Sequence, residues 1–317
     1  MLPAVVVCVA LVGLLAPASG WAQSPAVDRA LVGTWTLVST EEGVESAAPT
    51  RALNPRGLLV LDAAGWAFEA VTQRQRPTPA PASLTEAQLA FANYVGSWGR
   101  YTANSATRQL VLRTEGALSP SAMGREFTRS YALDGDRLVI TSKPGEPHQQ
   151  GATRWTWERV PVVENLSPVY RATVGFWQHV VEKRVNVTLK TEVATTRAPS
   201  VVVYTPSGYV GVYFPPLGRK PFAGETPTDA EAKEAMRGYV GYFGALGVYP
   251  GMVFHHILAS TGNLTNSTLK RFLDLSAGGD QANLRFPEGR NPQGEATTTL
   301  VTLKRLSGAA AMLGELK

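Results

Sequence analysis

Leu31-Val32-Gly33-Thr34-Trp35-Thr36-Leu37-Val38-Ser39 opens the first half of the chain, and its Gly-x-Trp core returns as Gly175-Phe176-Trp177. Working outward, Asp62-Ala63-Ala64-Gly65-Trp66 returns as Thr205-Pro206-Ser207-Gly208-Tyr209. Tyr94-Val95-Gly96-Ser97-Trp98-Gly99 returns as Tyr239-Val240-Gly241-Tyr242-Phe243-Gly244, and Trp157-Glu158-Arg159 as Leu303-Lys304-Arg305. The offset stays between 142 and 146 residues, from Gly33/Gly175 to Arg159/Arg305. Solenoid and propeller repeats run only about 20–50 residues, so a repeat of this length is a duplicated domain. Residues kept in both copies serve the fold. Residues that differ mark where function can have moved.

Short runs rich in Val, Leu, Thr and aromatics, punctuated by Gly, Asp, Asn and Pro, read as strands. In the first half they fall near 34–40, 57–62, 66–72, 97–102, 109–115, 125–133, 137–142 and 153–160. Matching runs in the second half lie near 176–183, 200–205, 209–214, 242–248, 252–259, 268–275, 281–286 and 298–305. Asp62 to Gly65 and Leu133 to Asp136 carry hairpin-turn chemistry. One helix interrupts each half at the same place. Ser83-Leu84-Thr85-Glu86 and Thr228-Asp229-Ala230-Glu231 have the form of a capping box, which satisfies free amides of the first turn. Pro-rich links precede both helices and read as extended loops.

Eight strands and one helix per half predict an all-β protein of two tandem antiparallel barrels, spanning 27–162 and 168–307, with a β-sandwich as the alternative. Each half should fold by itself. The tail 308–317 is expected to be a frayed helix or disordered.

Val5 to Leu15 is an apolar core, and Gly20-Trp21-Ala22 offers small residues at the two positions a signal peptidase reads. Residues 1–22 are therefore expected to be a cleaved export signal, its apolar run being shorter than the ~20 residues of a spanning helix. Periplasmic or secreted localisation follows as an expectation, without stable membrane insertion after cleavage. Cys8 is the single cysteine, so the mature chain would have neither disulfides nor thiolate chemistry. Of the 317 residues 17% are charged, with a net charge of +5. The basic residues are scattered rather than clustered, which argues against nucleic-acid binding.

The landmarks resemble the lipocalin-like domain family of bacterial exported proteins and fungal biosynthetic clusters. The pattern is carried by Leu31 to Ser39, Gly65, Tyr94 to Tyr101 and Trp155-Thr156-Trp157-Glu158-Arg159, with a more diverged second copy. That resemblance implies a calycin-type barrel and a tendency to bind small molecules, without fixing a ligand. It further implies that Trp35 and Trp177 plug the closed ends, with Arg159 and Arg305 stacked over them. The same resemblance gives the His-His position of the second copy some weight.

His255-His256 is the foremost candidate for chemistry. Neighbours on a strand face opposite ways, so one of the two can look inward, as a pocket donor or general base, while a surface role stays open. The first copy has Leu112-Arg113 there. Two adjacent strand residues cannot chelate one ion, so no metal is expected. Trp66, Tyr94, Trp98 and Tyr101, with counterparts Tyr209, Tyr239, Phe243 and Leu246, could form an aromatic rim that accepts a ring, or be ordinary core. Arg113 could hold a ligand carboxylate if it faced inward. No nucleotide-loop or serine-hydrolase motif is present, and no cofactor is expected. The expected function is binding of a small hydrophobic or aromatic molecule, with the second barrel as the active one. The alternative is an isomerase or cyclase that folds its substrate inside one barrel, with His255 or His256 as acid or base.

Overall fold

The computed structural model describes residues 27–72, 85–146, 151–224 and 226–315. The expected signal segment and Ser83 lie outside the described residues. The first half is a meander of β1 (Gly33–Glu42), β2 (Thr50–Arg51), β3 (Arg56–Leu61), β4 (Trp66–Thr72), β5 (Tyr94–Asn104), β6 (Gln109–Ala117), β7 (Glu126–Asp134), β8 (Arg137–Thr141) and β9 (Thr153–Val160). Each strand pairs antiparallel with its neighbour, and β1 closes the sheet on β9, leaving β2 as a two-residue flap. The second half repeats this with β10 (Gly175–Asn186), β11 (Thr191–Thr195), β12 (Val201–Tyr204), β13 (Tyr209–Phe214), β14 (Val240–Tyr249), β15 (Met252–Ser260), β16 (Thr268–Leu275), β17 (Gln281–Arg285), β18 (Gly289–Arg290) and β19 (Ala296–Gly308). Here β10 closes on β19. The chain is all-β, built of two tandem closed eight-stranded barrels.

Helix α1 (Glu86–Ala92) precedes β5, α2 (Pro168–Thr173) precedes β10, α3 (Asp229–Met236) precedes β14, and α4 (Ala309–Met312) follows β19. The capping box of α3 is the expected Thr228/Glu231 pair, whereas α1 is capped by Thr85 with Gln88, two residues later than the motif suggested. Both boxes obey the same chemistry; Thr85 and Gln88 fit the spacing as well as Ser83 and Glu86 do.

The closed ends are built alike. Trp35 Nε1 donates to Leu31 O at 3.0 Å and Trp177 Nε1 to Thr173 O at 2.9 Å. Arg159 and Arg305 lie 4.0 Å above the two indoles. Each guanidinium also donates to two carbonyls of the chain entering the barrel: Val32 and Ala30 in one, Val174 and Ala172 in the other. The glycine of Gly-x-Trp is now explained. A Cβ on Gly33 would stand 2.7 Å from Arg159 Nη1, and one on Gly175 2.0 Å from the Ser307 carbonyl oxygen. These four aromatic and basic residues are structural plugs worth about 0.5–2 kcal/mol per cation–π pair.

The halves are not beads on a string. The outward faces of β3–β5 and β12–β14 pack together into a shared core with Trp66, Phe68, Trp98, Phe176, Tyr213 and Phe243. Gly211 makes the approach possible, since a Cβ there would stand 2.5 Å from the Phe68 ring. Polar contacts reinforce the seam: Arg56 Nη1 donates to Leu258 O at 2.8 Å, Gln88 Nε2 to Pro227 O at 2.6 Å, and the Tyr213 hydroxyl to Ala117 O. The start of the tail is ordered too. Ala311 and Met312 of α4 are buried, and Ala311 O accepts from Ala63 N at 2.9 Å.

Candidate functional site

The two barrel interiors differ in chemistry although their ladders superpose. Leu110 pairs with Arg129 and Leu112 with Phe127 in the first barrel; Val253 pairs with Arg271 and His255 with Leu269 in the second. Arg129 and Arg271 therefore hold the same inward position, as do Leu112 and His255. The first barrel neutralises its arginine. Arg129 Nη1 donates to Glu69 at 2.9 Å and its Nη2 to Glu146 at 2.7 Å, with all three side chains buried and the guanidinium 4.7 Å from the Trp155 ring. The two carboxylates hold the Arg129 pKa above its usual value against the opposing effect of burial. Beside this triad, between Leu112, Thr114, Phe127 and Glu146, is a cavity of about 40 Å³. That is room for little more than a water or two.

In the second barrel, position 69 is replaced by Val212: Leu59 pairs with Glu69 where Val202 pairs with Val212. Arg271 has no ion pair among the described residues; it stacks 3.7 Å from the Phe286 ring, and its Nη1 donates to Lys270 O. Burial lowers its pKa from the ordinary arginine range. Close by, the Tyr242 hydroxyl meets His255 Nδ1 at 2.8 Å, and His255 Nε2 meets the Tyr204 hydroxyl at 3.2 Å. His255 is 1% exposed, and burial, followed by the charge of Arg271 and of His256, pushes its pKa down to about 3. It is thus a neutral imidazole with both nitrogens engaged. Burial likewise raises both phenols, Tyr242 to about 12.

Above this layer the second barrel opens. Past a bulge between His179 and Val181, β10 turns Glu182, Arg184 and Asn186 to the face carrying Val301, Thr299 and Thr297 of β19. With β11 and the segment after β17, this flap borders an open groove of about 550 Å³, lined by Arg184, Asn186, Thr191, Val193, Phe286 and Thr299 among others, with the Arg184 and Val193 side chains largely exposed. Pockets for small molecules typically span about 300–1,000 Å³. Phe286 is both a wall of the groove and the platform of Arg271.

Set against the sequence reading, His255 faces the barrel interior and His256 faces outward, bonded to Thr268 Oγ1 at 2.9 Å. His255 does not line the groove; Tyr204 and Tyr242 are packed around it. The aromatic rim is corrected. Trp66, Trp98, Tyr239 and Phe243 belong to the seam between barrels, with Tyr209 packed against it, because alternate residues of a strand face opposite ways and theirs is the outer face. Arg113 lies on the exposed outer face of β6, one residue from inward Leu112, so it cannot serve an interior ligand. The groove residues escaped notice in the sequence. Their only signal is the Thr297-Thr298-Thr299 run, too polar for a barrel core, opposite Arg184 and Asn186.

This geometry defines a small closed antiparallel β-barrel, present twice. The lipocalin-like domain family matches at residues 32–160 and again at 174–305, and the chain belongs to that family. No curated protein sequence matches it. Among solved structures, a protein of unknown function from the DUF3598 family of Nostoc punctiforme aligns over 87% of this chain and 97% of its own, at 10% identity and a TM-score of 0.24.

Proposed function

We propose that the protein is an exported carrier or receptor for a small apolar or aromatic molecule, held at the open end of the second barrel. The observation that carries this reading is the contrast between an open groove of about 550 Å³ there and a cavity of about 40 Å³ in the first barrel. Export rests on the apolar Val5–Leu15 segment ahead of Gly20-Trp21-Ala22. Periplasmic or secreted localisation would follow from it. The test uses N-phenyl-1-naphthylamine, a neutral probe that fluoresces in apolar cavities. Saturable one-to-one binding is expected, and Thr299→Trp, which fills the groove, should remove it while the melting temperature holds. Absence of saturable binding, or binding that survives the plug, would sink the assignment.

A second reading is enzymatic, since Tyr204, Tyr242, His255 and Arg271 converge inside one barrel. An isomerase or cyclase could use such a set. A general base works best with a pKa near the working pH, however, and His255 titrates near 3 and is sealed from the groove. Binding is therefore favoured.

A further inference from the structure

Duplication left the two barrels with the same inward arginine but opposite provision for its charge. Arg129 is saturated by two carboxylates. Arg271 stacks on a ring from a different position, Phe286, since Val301 stands where the first barrel has Trp155, and it has lost the acid, because Val212 stands where the first barrel has Glu69. A guanidinium offers five N–H donors in a planar fork, and one protein acceptor is seen here, the Lys270 carbonyl. A half-buried cation without a counter-ion is costly, and natural sites commonly supply one from the ligand.

The groove points the same way. Its lining includes Arg184 and no acidic residue, and the nearby Glu295 carboxylate is taken up by two lining amides, Asn186 Nδ2 at 2.8 Å and Asn291 Nδ2 at 2.7 Å. Glu182, the acid beside Arg184, is held more closely by Arg197, at 2.8 Å against 3.5 Å for Arg184. Phe286 lines the groove and carries the guanidinium on its ring; Arg271 itself is not a lining residue, so the charged end of a guest has to reach past the edge of that ring to meet the fork. Planar oxyanions match that fork in two-pronged fashion.

Resting on the proposed binding role of the second barrel, we infer that its guest is an anion: an apolar or aromatic body ending in a carboxylate or sulfonate, with Arg271 as the residue that takes the charged group and Phe286 as the ring beneath it. His255 is a positioning residue here. It fixes the Tyr204 and Tyr242 hydroxyls beside the guanidinium and does not itself meet the ligand.

The experiment compares two probes with the same ring system, neutral N-phenyl-1-naphthylamine and 1-anilinonaphthalene-8-sulfonate, titrated into the full chain by fluorescence. The sulfonate should bind at least tenfold more tightly to the wild type. Arg271→Met should cut sulfonate affinity at least tenfold and leave the neutral probe within about twofold, whereas Arg271→Lys should retain part of the preference. Arg113→Met, on the outside of the first barrel, should change neither. If Arg271→Met does not fold, the wild-type ratio and Arg271→Lys still decide. Equal affinity of the wild type for the two probes overturns the anion inference and leaves the binding role standing, as does a preference that Arg271→Met preserves. Failure of both probes to bind overturns both.

Discussion

At the scale of single residues, the copies show how one turn is built with and without charge. Asp62 Oδ1 accepts from Trp66 N at 2.8 Å, and in the second copy Thr205 Oγ1 accepts from Tyr209 N at 3.0 Å. The hydroxyl does this at no electrostatic cost. Asp62 lies fully buried at the seam, and desolvation raises its pKa to about 6 despite the hydrogen bonds from Ser307 and Trp66. Between its unfolded value near 3.8 and about 6, the folded state binds more protons than the unfolded chain, so this group makes stability fall as pH rises through that window. The difference corresponds to about 3 kcal/mol as an order of magnitude. His255 acts in the opposite sense. Its pKa is lowered, so its contribution is complete above about 6.5 and is lost as pH falls toward 3. Asp62→Asn keeps the acceptor for Trp66 and removes the titration. Its stability in denaturant titrations should rise steadily from pH 4 to 6.5, exceeding the wild type most at the upper end. Parallel profiles for the two proteins would show that the Asp62 charge is not buried as described.

At the scale of elements, the strands were legible because hydrophobic runs and turn residues repeat. All sixteen expected strands correspond to observed ones, with end shifts such as 97–102 extending to β5 at Tyr94–Asn104. Short flaps were not legible: β2, β11 and β18 are exposed edge pieces whose Thr, Arg, Glu and Gly residues bear no core-facing pattern. The candidate site suffered for the same reason, since β11 and the extension of β10 form the wall of the groove. Seam residues such as Trp66 and Trp98 were misplaced because a strand buried on both faces shows no alternation; every residue of β4 is buried. Helix α4 was missed as an ordered element, as four residues carry too little pattern. It should nevertheless matter. Deleting residues 309–317 removes the buried Met312 and the carbonyl that accepts from Ala63, at a cost of about 2–3 kcal/mol. The thermal midpoint of the shortened chain should fall by several degrees. A midpoint equal to that of the full chain would mean the helix merely rests on the seam.

At the scale of the whole molecule, two facts about the first barrel pull in different directions. It closes on itself through β1 and β9 and carries its own plug of Trp35 and Arg159, which favours folding alone. It also gives Trp66, Phe68 and Trp98 to a core completed by the second barrel, and those side chains are 5%, 1% and 2% exposed in the whole chain. Separation would bare a contiguous aromatic face, the kind of patch that soluble monomers rarely display. The second barrel covers that face with its own copy of the same strands, β12–β14 against β3–β5, so the seam approximates a two-fold contact. A free first barrel would therefore have a ready partner in another copy of itself, as self-complementary faces pair isologously. Residues 24–162 expressed alone should retain β-rich circular dichroism and sediment as a dimer or larger species. Replacing Phe68 and Trp98 with Ser and Thr should shift that fragment toward monomer. A wild-type fragment that sediments as a monomer and melts as sharply as the full chain would show that the seam contributes little to either half.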